Sequence, residues 1–287
     1  MQTFGLNDPQ VMDEWNIEII REFIGNLREQ PIYGSPVLGS NQVWYHSLQS
    51  LVEQNRLHGK ITILCPFGWV DEEGQQILLT GLNPSEQSFF EAYKIKLVAM
   101  AEFFSDQSDV WIEVWNEPYH WNNENGYNHQ MWYDDMNNLV HALRINANFS
   151  NIILVPGNEQ GQSEKAMQIH GSTLLEKWGN LVFDLHAYEK WLINQSESDV
   201  LDRIDNISNA GQPILFGEIG VINSSGLMNP DPFIRAIKQR KISVLGWLWV
   251  QNSSYPNALL DDNNKANNLD NFNWGSTFQQ LLLTKTN

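Results

Sequence analysis

Along the chain, short runs of β-branched and aliphatic residues alternate with longer stretches in which apolar side chains recur at three- and four-residue spacing. The short runs have the character of strands covered on both faces, and the longer stretches that of helices with one apolar stripe. Strands are expected over residues 17–24, 60–66, 110–116, 151–156, 181–186, 213–218 and 242–249. Helices are expected over 43–57, 85–104, 130–145, 164–178, 199–210 and 231–241, with a closing helix at 276–283. This alternation is the pattern of βα units around a parallel sheet. The count falls one strand short of an eight-stranded α/β barrel, the (β/α)8 or TIM barrel. The missing strand must precede residue 17, where too few residues remain for a full unit. Asn7 can cap a helix with Pro9 in its first turn. The first helix is therefore expected over 9–15 and a short, atypical first strand over 2–6.

The length of 287 residues suits one barrel of about 250 residues, so a single catalytic domain spanning 1–287 is expected. A hydrophobic share of 42% against 18% charged residues supplies a large core and excludes a disordered composition. The net charge of −17 repels phosphate backbones and anionic lipid, which argues against nucleic-acid and membrane partners and for a neutral substrate. Cys65 is the only cysteine, which excludes an intrachain disulfide; its apolar neighbours mark a packed strand thiol. Acidic and polar side chains occur throughout the first thirty residues, so neither a signal peptide nor a membrane span is expected there. Such a chain is cytosolic, or is secreted and has had its leader removed. A long Asn- and Asp-rich loop, 251–273, is expected to be functional.

Barrels place their chemistry on the loops after the strands. The fourth strand ends Trp111-Ile112-Glu113-Val114-Trp115-Asn116-Glu117-Pro118, and the seventh ends Ile214-Leu215-Phe216-Gly217-Glu218-Ile219-Gly220. Each sets a carboxylate where the chain leaves the barrel, and strands four and seven face each other across it. Glycoside cleavage needs two carboxyl groups flanking one bond, about 5 to 5.5 Å apart when configuration is retained. Taken singly, Asn-Glu-Pro is a turn and Gly-Glu-Ile-Gly a loop. Their joint placement, with His186 and Tyr188 after strand six and Trp247 and Trp249 on strand eight, points to catalysis. A carboxyl walled by Trp115 is expected to have a raised pKa, and one accepting hydrogen bonds to stay ionised.

Trp115-Asn116-Glu117-Pro118, His186-Ala187-Tyr188, Gly217-Glu218 and Gly246-Trp247-Leu248-Trp249 resemble glycoside hydrolase family 5, a family of retaining barrel glycosidases that includes endoglucanases and β-mannanases. The resemblance runs from about residue 17 onward. It implies Glu117 as acid/base, Glu218 as nucleophile and Asn116 as hydrogen-bond partner of the sugar 2-hydroxyl. Arg21 resembles the arginine that keeps the nucleophile ionised; a plain salt bridge with Glu113 or Glu22 is the alternative. Tyr188 is similar to the tyrosine touching the nucleophile, and His186 to the histidine orienting the pair, unless it is a core histidine. Trp249 resembles the platform under the sugar, while Trp247 is either core or platform.

One departure stands out. After strand three the family usually shows a histidine, but here the chain reads Cys65-Pro66-Phe67-Gly68-Trp69, so Trp69 is expected to stack on sugar in its place. Tyr119, His120, Trp121, Tyr127, Trp132 and Trp191 are candidate cleft aromatics. The resemblance implies a secreted monomer acting on a β-linked polysaccharide, with β-1,4-glucan ahead of mannan on family frequency, and with no cofactor. A barrel that binds carbohydrate without cleaving it is the alternative from another class. A metal-dependent barrel hydrolase is a further one, but no His-x-His or His-Glu-x-x-His spacing occurs, so no metal is expected.

Overall fold

A computed structural model of the chain describes residues 2–3 and 9–284. Eight parallel strands form one sheet in chain order: β1 (Gln2–Thr3), β2 (Ile19–Ile24), β3 (Ile61–Pro66), β4 (Val110–Glu113), β5 (Ile153–Pro156), β6 (Leu181–Ala187), β7 (Ile214–Ile219) and β8 (Val244–Gly246). The helices α1 (Pro9–Glu14), α2 (Leu48–Leu57), α3 (Phe90–Phe103), α4 (His129–His141), α5 (Lys165–Trp178), α6 (Glu197–Asn209), α7 (Asp231–Arg240) and α8 (Trp274–Leu283) follow the strands in turn. The sheet curls until β8 meets β2. Edge-on aromatic contacts bridge this seam, Trp15 to Trp249 at 5.1 Å and Phe23 to Trp247 at 5.4 Å between centroids. The expected barrel is therefore present. Among the described residues no helix is long and apolar enough to cross a membrane.

The expected first strand is the two-residue stub β1, whose Gln2 and Thr3 pair with Arg21 and Glu22. Residues 4–6 of that expectation and the Asn7 cap lie outside the described residues. The expected helix over 43–57 begins only at Leu48, where the Ser47 hydroxyl accepts from the Ser50 N–H. The preceding Trp44–Tyr45 pairs instead with Val37–Leu38 in a small hairpin. Similarly, α3 begins at Phe90, after a 3-10 turn at Pro84–Glu86. The sharpest start is that of α6, where Ser196 and Asp199 exchange bonds in a capping box.

Strand alternation sorts the barrel interior into layers. Ile63, Leu154, Leu215 and Leu245 fill its lower part with a dry aliphatic cluster. Ile19, Trp111 and Val182 pack against this cluster, and two residues beyond Ile19, Ile63, Trp111 and Val182 come Arg21, Cys65, Glu113 and Asp184, which make the next layer, all fully buried. The apolar outer faces of the strands, with Ile20, Leu64, Ile112 and Phe216 among them, pack against the helices. A polar layer on an aliphatic floor is the foundation of the site above it.

Candidate active site

The carboxylates reach the top of the barrel by two local devices. At the exit of β4, Glu117 pairs with the β3–α3 loop: its N–H donates to the Leu79 carbonyl at 3.2 Å, and its own carbonyl accepts from the Gly81 N–H at 2.7 Å. On β7 the register slips, so that Leu185 lies opposite Phe216 but His186 lies opposite Glu218. Gly217 is the extra residue of this bulge, a feature that re-aims a side chain.

Glu117 and Glu218 face one another with His186 between them. One oxygen of each carboxylate and one His186 nitrogen all lie within 4.8 Å of one another. His186 Nδ1 is 2.8 Å from Glu117 Oε1 and 3.7 Å from Glu218 Oε2. The Thr80 hydroxyl donates to Glu117 Oε2 at 2.9 Å. Arg21 Nη1 donates to Glu218 Oε1 at 2.9 Å, and the Tyr188 hydroxyl donates to Glu218 Oε2 at 2.8 Å. Glu117 is the more open of the two, its side chain 16% exposed against 5% for Glu218.

Arg21 organises the layer beneath. Its Nε and Nη2 donate to the two oxygens of Glu113 at 2.6 and 2.8 Å, and Nη2 also reaches Asn116 Oδ1 at 2.9 Å. Arg21 thus makes the salt bridge to Glu113 and at the same time turns its remaining nitrogen to Glu218. The Asn116 amide donates to Thr80 Oγ1 at 3.3 Å. The Cys65 thiol lies under Asn116, its Sγ 3.7 Å from Oδ1. Burial raises that thiol well above its ordinary range, which fits the expected inert packing.

Desolvation dominates the electrostatics. Burial lifts Glu218 above the ordinary carboxyl value, against the pull of His186 and Arg21, with Glu117 adding to the rise. Burial likewise pushes Glu113 up to about 7 despite its contact with Arg21. For His186, burial disfavours the cation, but Glu218, Asp184 and Glu117 outweigh it and hold the imidazolium well above its ordinary pKa. The expected origin of asymmetry, a wall of Trp115 beside the acid, is corrected. The Trp115 ring is buried against Phe89 and Tyr93, and the burial that lifts a carboxyl is that of Glu218.

Several expected sugar platforms are also corrected. Trp69 is buried in a near-parallel stack on Phe89 at 5.3 Å, because the hairpin of Gly68–Val70 with Gln76–Leu78 folds it inward. Trp249 packs edge-on against Trp15 in the outer core, since it points away from the barrel axis. Trp247 is the half-exposed member of the pair, flanked by Phe23 and donating from Nε1 to the Tyr255 hydroxyl at 3.2 Å. Tyr119, Trp132 and Trp191 are buried, their polar atoms bonded to Asp135, to the Pro156 carbonyl and to the Gln162 carbonyl. Trp121 stays 54% exposed on the β4–α4 loop, its carbonyl accepting from Lys190 at 2.9 Å. The Asn-rich loop is tied down by Asn257, whose Oδ1 accepts from the Val221 and Ile222 N–H groups. Asn257 Nδ2 also donates to the Tyr255 hydroxyl at 3.3 Å, which steadies that ring beside Trp247.

Sequence reasoning missed Thr80, Asp184, Phe23 and Tyr255. Thr80 sits in a loop with no motif of its own, and it reaches Glu117 only through the pairing of backbones. Asp184 did carry a signal, an acid in the middle of an otherwise apolar buried strand.

Beside the carboxylates, Phe23 and Phe67 form the inner wall of a cavity of about 400 Å³ whose outer wall includes Trp44, Tyr45, Gln76 and Leu78. A cavity of about 520 Å³ opens at the opposite end of the barrel, around Ile19, Leu215, Leu245 and Phe278, away from the carboxylate pair. Two groups, Glu113 with Asp184 and His186, and Glu117 with His186 and Glu218, are close enough to offer ligand atoms to a metal. Of these, Arg21 holds both Glu113 oxygens and one of Glu218, Tyr188 the other, and His186 Nδ1 faces Glu117, while Asp184 Oδ2 and His186 Nε2 have no hydrogen-bond partner among the described residues. A guanidinium already occupies the place of positive charge.

Comparison with known proteins agrees with this geometry. Residues 10–253 match the family described as cellulase (glycosyl hydrolase family 5). A β-mannanase/endoglucanase A of Caldicellulosiruptor saccharolyticus is 32% identical over 176 residues, 59% of this chain but only 12% of that protein. Among solved structures, a β-mannanase from Thermomonospora fusca superposes with a TM-score of 0.64 at 19% identity, covering 95% of this chain and 88% of its own. An endoglucanase catalytic domain from Thermobifida fusca, in complex with cellotetraose, superposes at 0.65 with 15% identity, covering 98% and 90%. The catalytic domain of a mannanase from Streptomyces sp. SirexAA-E gives 0.63 at 18% identity, covering 91% and 80%. At such identities these structures establish the shared barrel fold.

Proposed function

The chain belongs to the cellulase family, glycosyl hydrolase family 5, and from that premise we propose that it is a retaining endo-β-1,4-glycosidase, acting on β-1,4-glucan by double displacement. The approach of a Glu117 oxygen to within 4.8 Å of a Glu218 oxygen carries this reading. Such a gap holds a glycosidic linkage but leaves no room for the water that inverting enzymes place between carboxyls about 6.5 to 9.5 Å apart.

The roles follow from the surroundings of each carboxylate. Glu218 is the nucleophile: Arg21 and Tyr188 each bind one of its oxygens, so it is fixed in place, and its charge forms against two donors. Glu117, the more open one, is the acid/base. Its proton goes to the leaving oxygen as Glu218 bonds the anomeric carbon, and it then takes a proton from the water that hydrolyses the glycosyl-enzyme. His186 between them carries positive charge that balances the change on both. Asn116 is held by Arg21 and Thr80, which supports its assignment as the partner of the sugar 2-hydroxyl. Trp247 with Phe23 and Tyr255 supplies the apolar surface for the sugar ring.

The open surroundings support an extended substrate. The cavity behind Phe23, with Trp44 65% exposed at its rim, lies on one side of the pair. Exposed Trp121 belongs to the loop that follows Glu117. A secreted monomer with one catalytic barrel suits a polymer too large to enter a cell. The altered β3 segment leaves the carboxylate pair intact, which favours cleavage over binding alone. Mannan is the second substrate, supported by the relatives named as mannanases.

The deciding experiment incubates the protein with carboxymethylcellulose, lichenan, glucomannan and galactomannan and resolves the products. Release of cello-oligosaccharides from the glucans fits the proposal. Cleavage confined to mannans moves the assignment to mannanase, and intact polymers with measurable affinity move it to a binding protein.

A further inference from the structure

Asp184 lies in the middle of β6, fully buried, in a strand whose other residues up to His186 are Leu, Val and Phe. An isolated buried carboxylate is costly unless it is matched by charge and hydrogen bonds. Here its oxygens serve two different partners. Asp184 Oδ1 accepts from the Gly217 N–H at 2.5 Å, at the bulge that sets Glu218 opposite His186. A Cβ on Gly217 would run into this carboxylate, so the glycine is what lets it close on the bulge. Asp184 Oδ2 lies 3.7 Å from His186 Nε2 and 3.8 Å from Arg21 Nε. Neither Oδ2 nor Nε2 has a hydrogen-bond partner among the described residues, so each faces the other as its nearest charge complement.

The two cations that Asp184 touches are the two that touch Glu218, Arg21 through Nη1 and His186 through Nδ1. Other charged groups crowd the same layer: Glu113 on β4 takes up the far side of Arg21, and Glu117 takes the other nitrogen of His186. With Glu113 committed to the guanidinium, Asp184 is the anion that lies behind the imidazole ring.

We propose that Asp184 is a positioning residue for the catalytic pair, fastening the β7 bulge and holding His186 in its doubly protonated form between Glu117 and Glu218. This rests on the assignment of those glutamates given above. Asp184 does not touch substrate; it acts through His186 and through the backbone that carries Glu218. An imidazolium so held cannot act as a base toward Glu117, which keeps the proton in transit on the acid/base and off the histidine.

The test uses the full chain with 15N-labelled histidine, and the His186 signals are identified by their loss in His186→Gln. In the wild type His186 keeps both ring protons at pH 7, above its ordinary titration range. Asp184→Asn retains an oxygen for the Gly217 N–H but removes the charge, and should lower the His186 titration by about one to three pH units. Its kcat should fall by at least about tenfold, with KM on a soluble oligosaccharide little changed. A folded Asp184→Asn protein with an unaltered His186 titration overturns the proposal, and Asp184→Ser gives the same reading if the asparagine variant does not fold. A neutral His186 in the wild type at pH 7 overturns it without any variant. Because the titration needs no substrate, it stands apart from any failure of the glucanase assignment.

Discussion

Replacing Arg21 by methionine keeps most of the aliphatic stem and removes the guanidinium, leaving Glu113 and Glu218 in a fully buried layer without their shared cation. Breaking a buried ion pair by removing one partner costs about 3–5 kcal/mol, because the remaining charge is uncompensated. The cost depends on pH, with a definite sign. Even with Arg21 present, burial pushes Glu113 up to about 7, above its ordinary 4.5. A carboxyl with a raised folded pKa weakens stability as pH rises from its unfolded value to its folded value. In the wild type that loss is complete near pH 7. Without Arg21 the folded pKa climbs further, so the variant goes on losing stability above pH 7. For Glu113 alone the gap widens by up to about 1.4 kcal/mol per pH unit. Urea unfolding at pH 6 and pH 8.5, followed by tryptophan fluorescence, measures the gap at each pH. A deficit above about 3 kcal/mol at pH 8.5 that shrinks at pH 6 is expected. A deficit under about 1 kcal/mol, or one equal at both pH values, would refute the reasoning that charge burial governs this layer.

Other perturbations separate the remaining roles. Glu117→Gln should lose roughly 10²- to 10⁴-fold in kcat on cello-oligosaccharides, whose leaving groups need a proton, and far less on aryl glycosides with good leaving groups; equal losses argue against the acid role. Trp247→Ala should lower kcat/KM on polymer by roughly tenfold with little change in urea midpoint. By contrast, Trp249→Ala should cost about 3–5 kcal/mol of stability as a core truncation, and the reverse pattern contradicts the orientation of the two rings. Because burial raises Glu218 above 4.5 and the nucleophile must be ionised, the acid limb of kcat/KM should have its midpoint above pH 4.5; a midpoint below that value counts against it.

Much of this architecture was legible in the order of residues. The seven full strands appear where β-branched runs predicted them, because buried parallel strands leave a continuous apolar signature that loops do not. Glu117, Glu218, His186 and Tyr188 stand out in the sequence because each lies at or just beyond the end of such a strand, and Arg21 because it interrupts one. The errors share a physical cause. Residues 43–47 have helical composition, but Trp44 and Tyr45 pair with Val37 and Leu38 in a hairpin, a tertiary choice that periodicity cannot register. Trp247 and Trp249 both extend past β8, where strict alternation no longer assigns a face, so the sequence leaves Trp247 open between core and platform and offers Trp249 as the platform although that ring is buried. The sequence offers Trp69 and Trp115 as site aromatics, yet both join one stack with Phe89 that only the folded β3–α3 connection brings together. Thr80 was invisible because its role depends on a backbone bridge to Glu117 across 37 positions.

The account depends on two carboxylates acting from opposite flanks of one linkage, and the stereochemistry of the first product tests that most directly. Proton NMR during the first minutes of cleavage of a soluble β-1,4-linked oligosaccharide resolves the anomeric signal of the new reducing end before mutarotation scrambles it. Two displacements, the first by Glu218, deliver the β-anomer. Initial appearance of the α-anomer means a single displacement by water and contradicts the proposed pairing of Glu117 with Glu218.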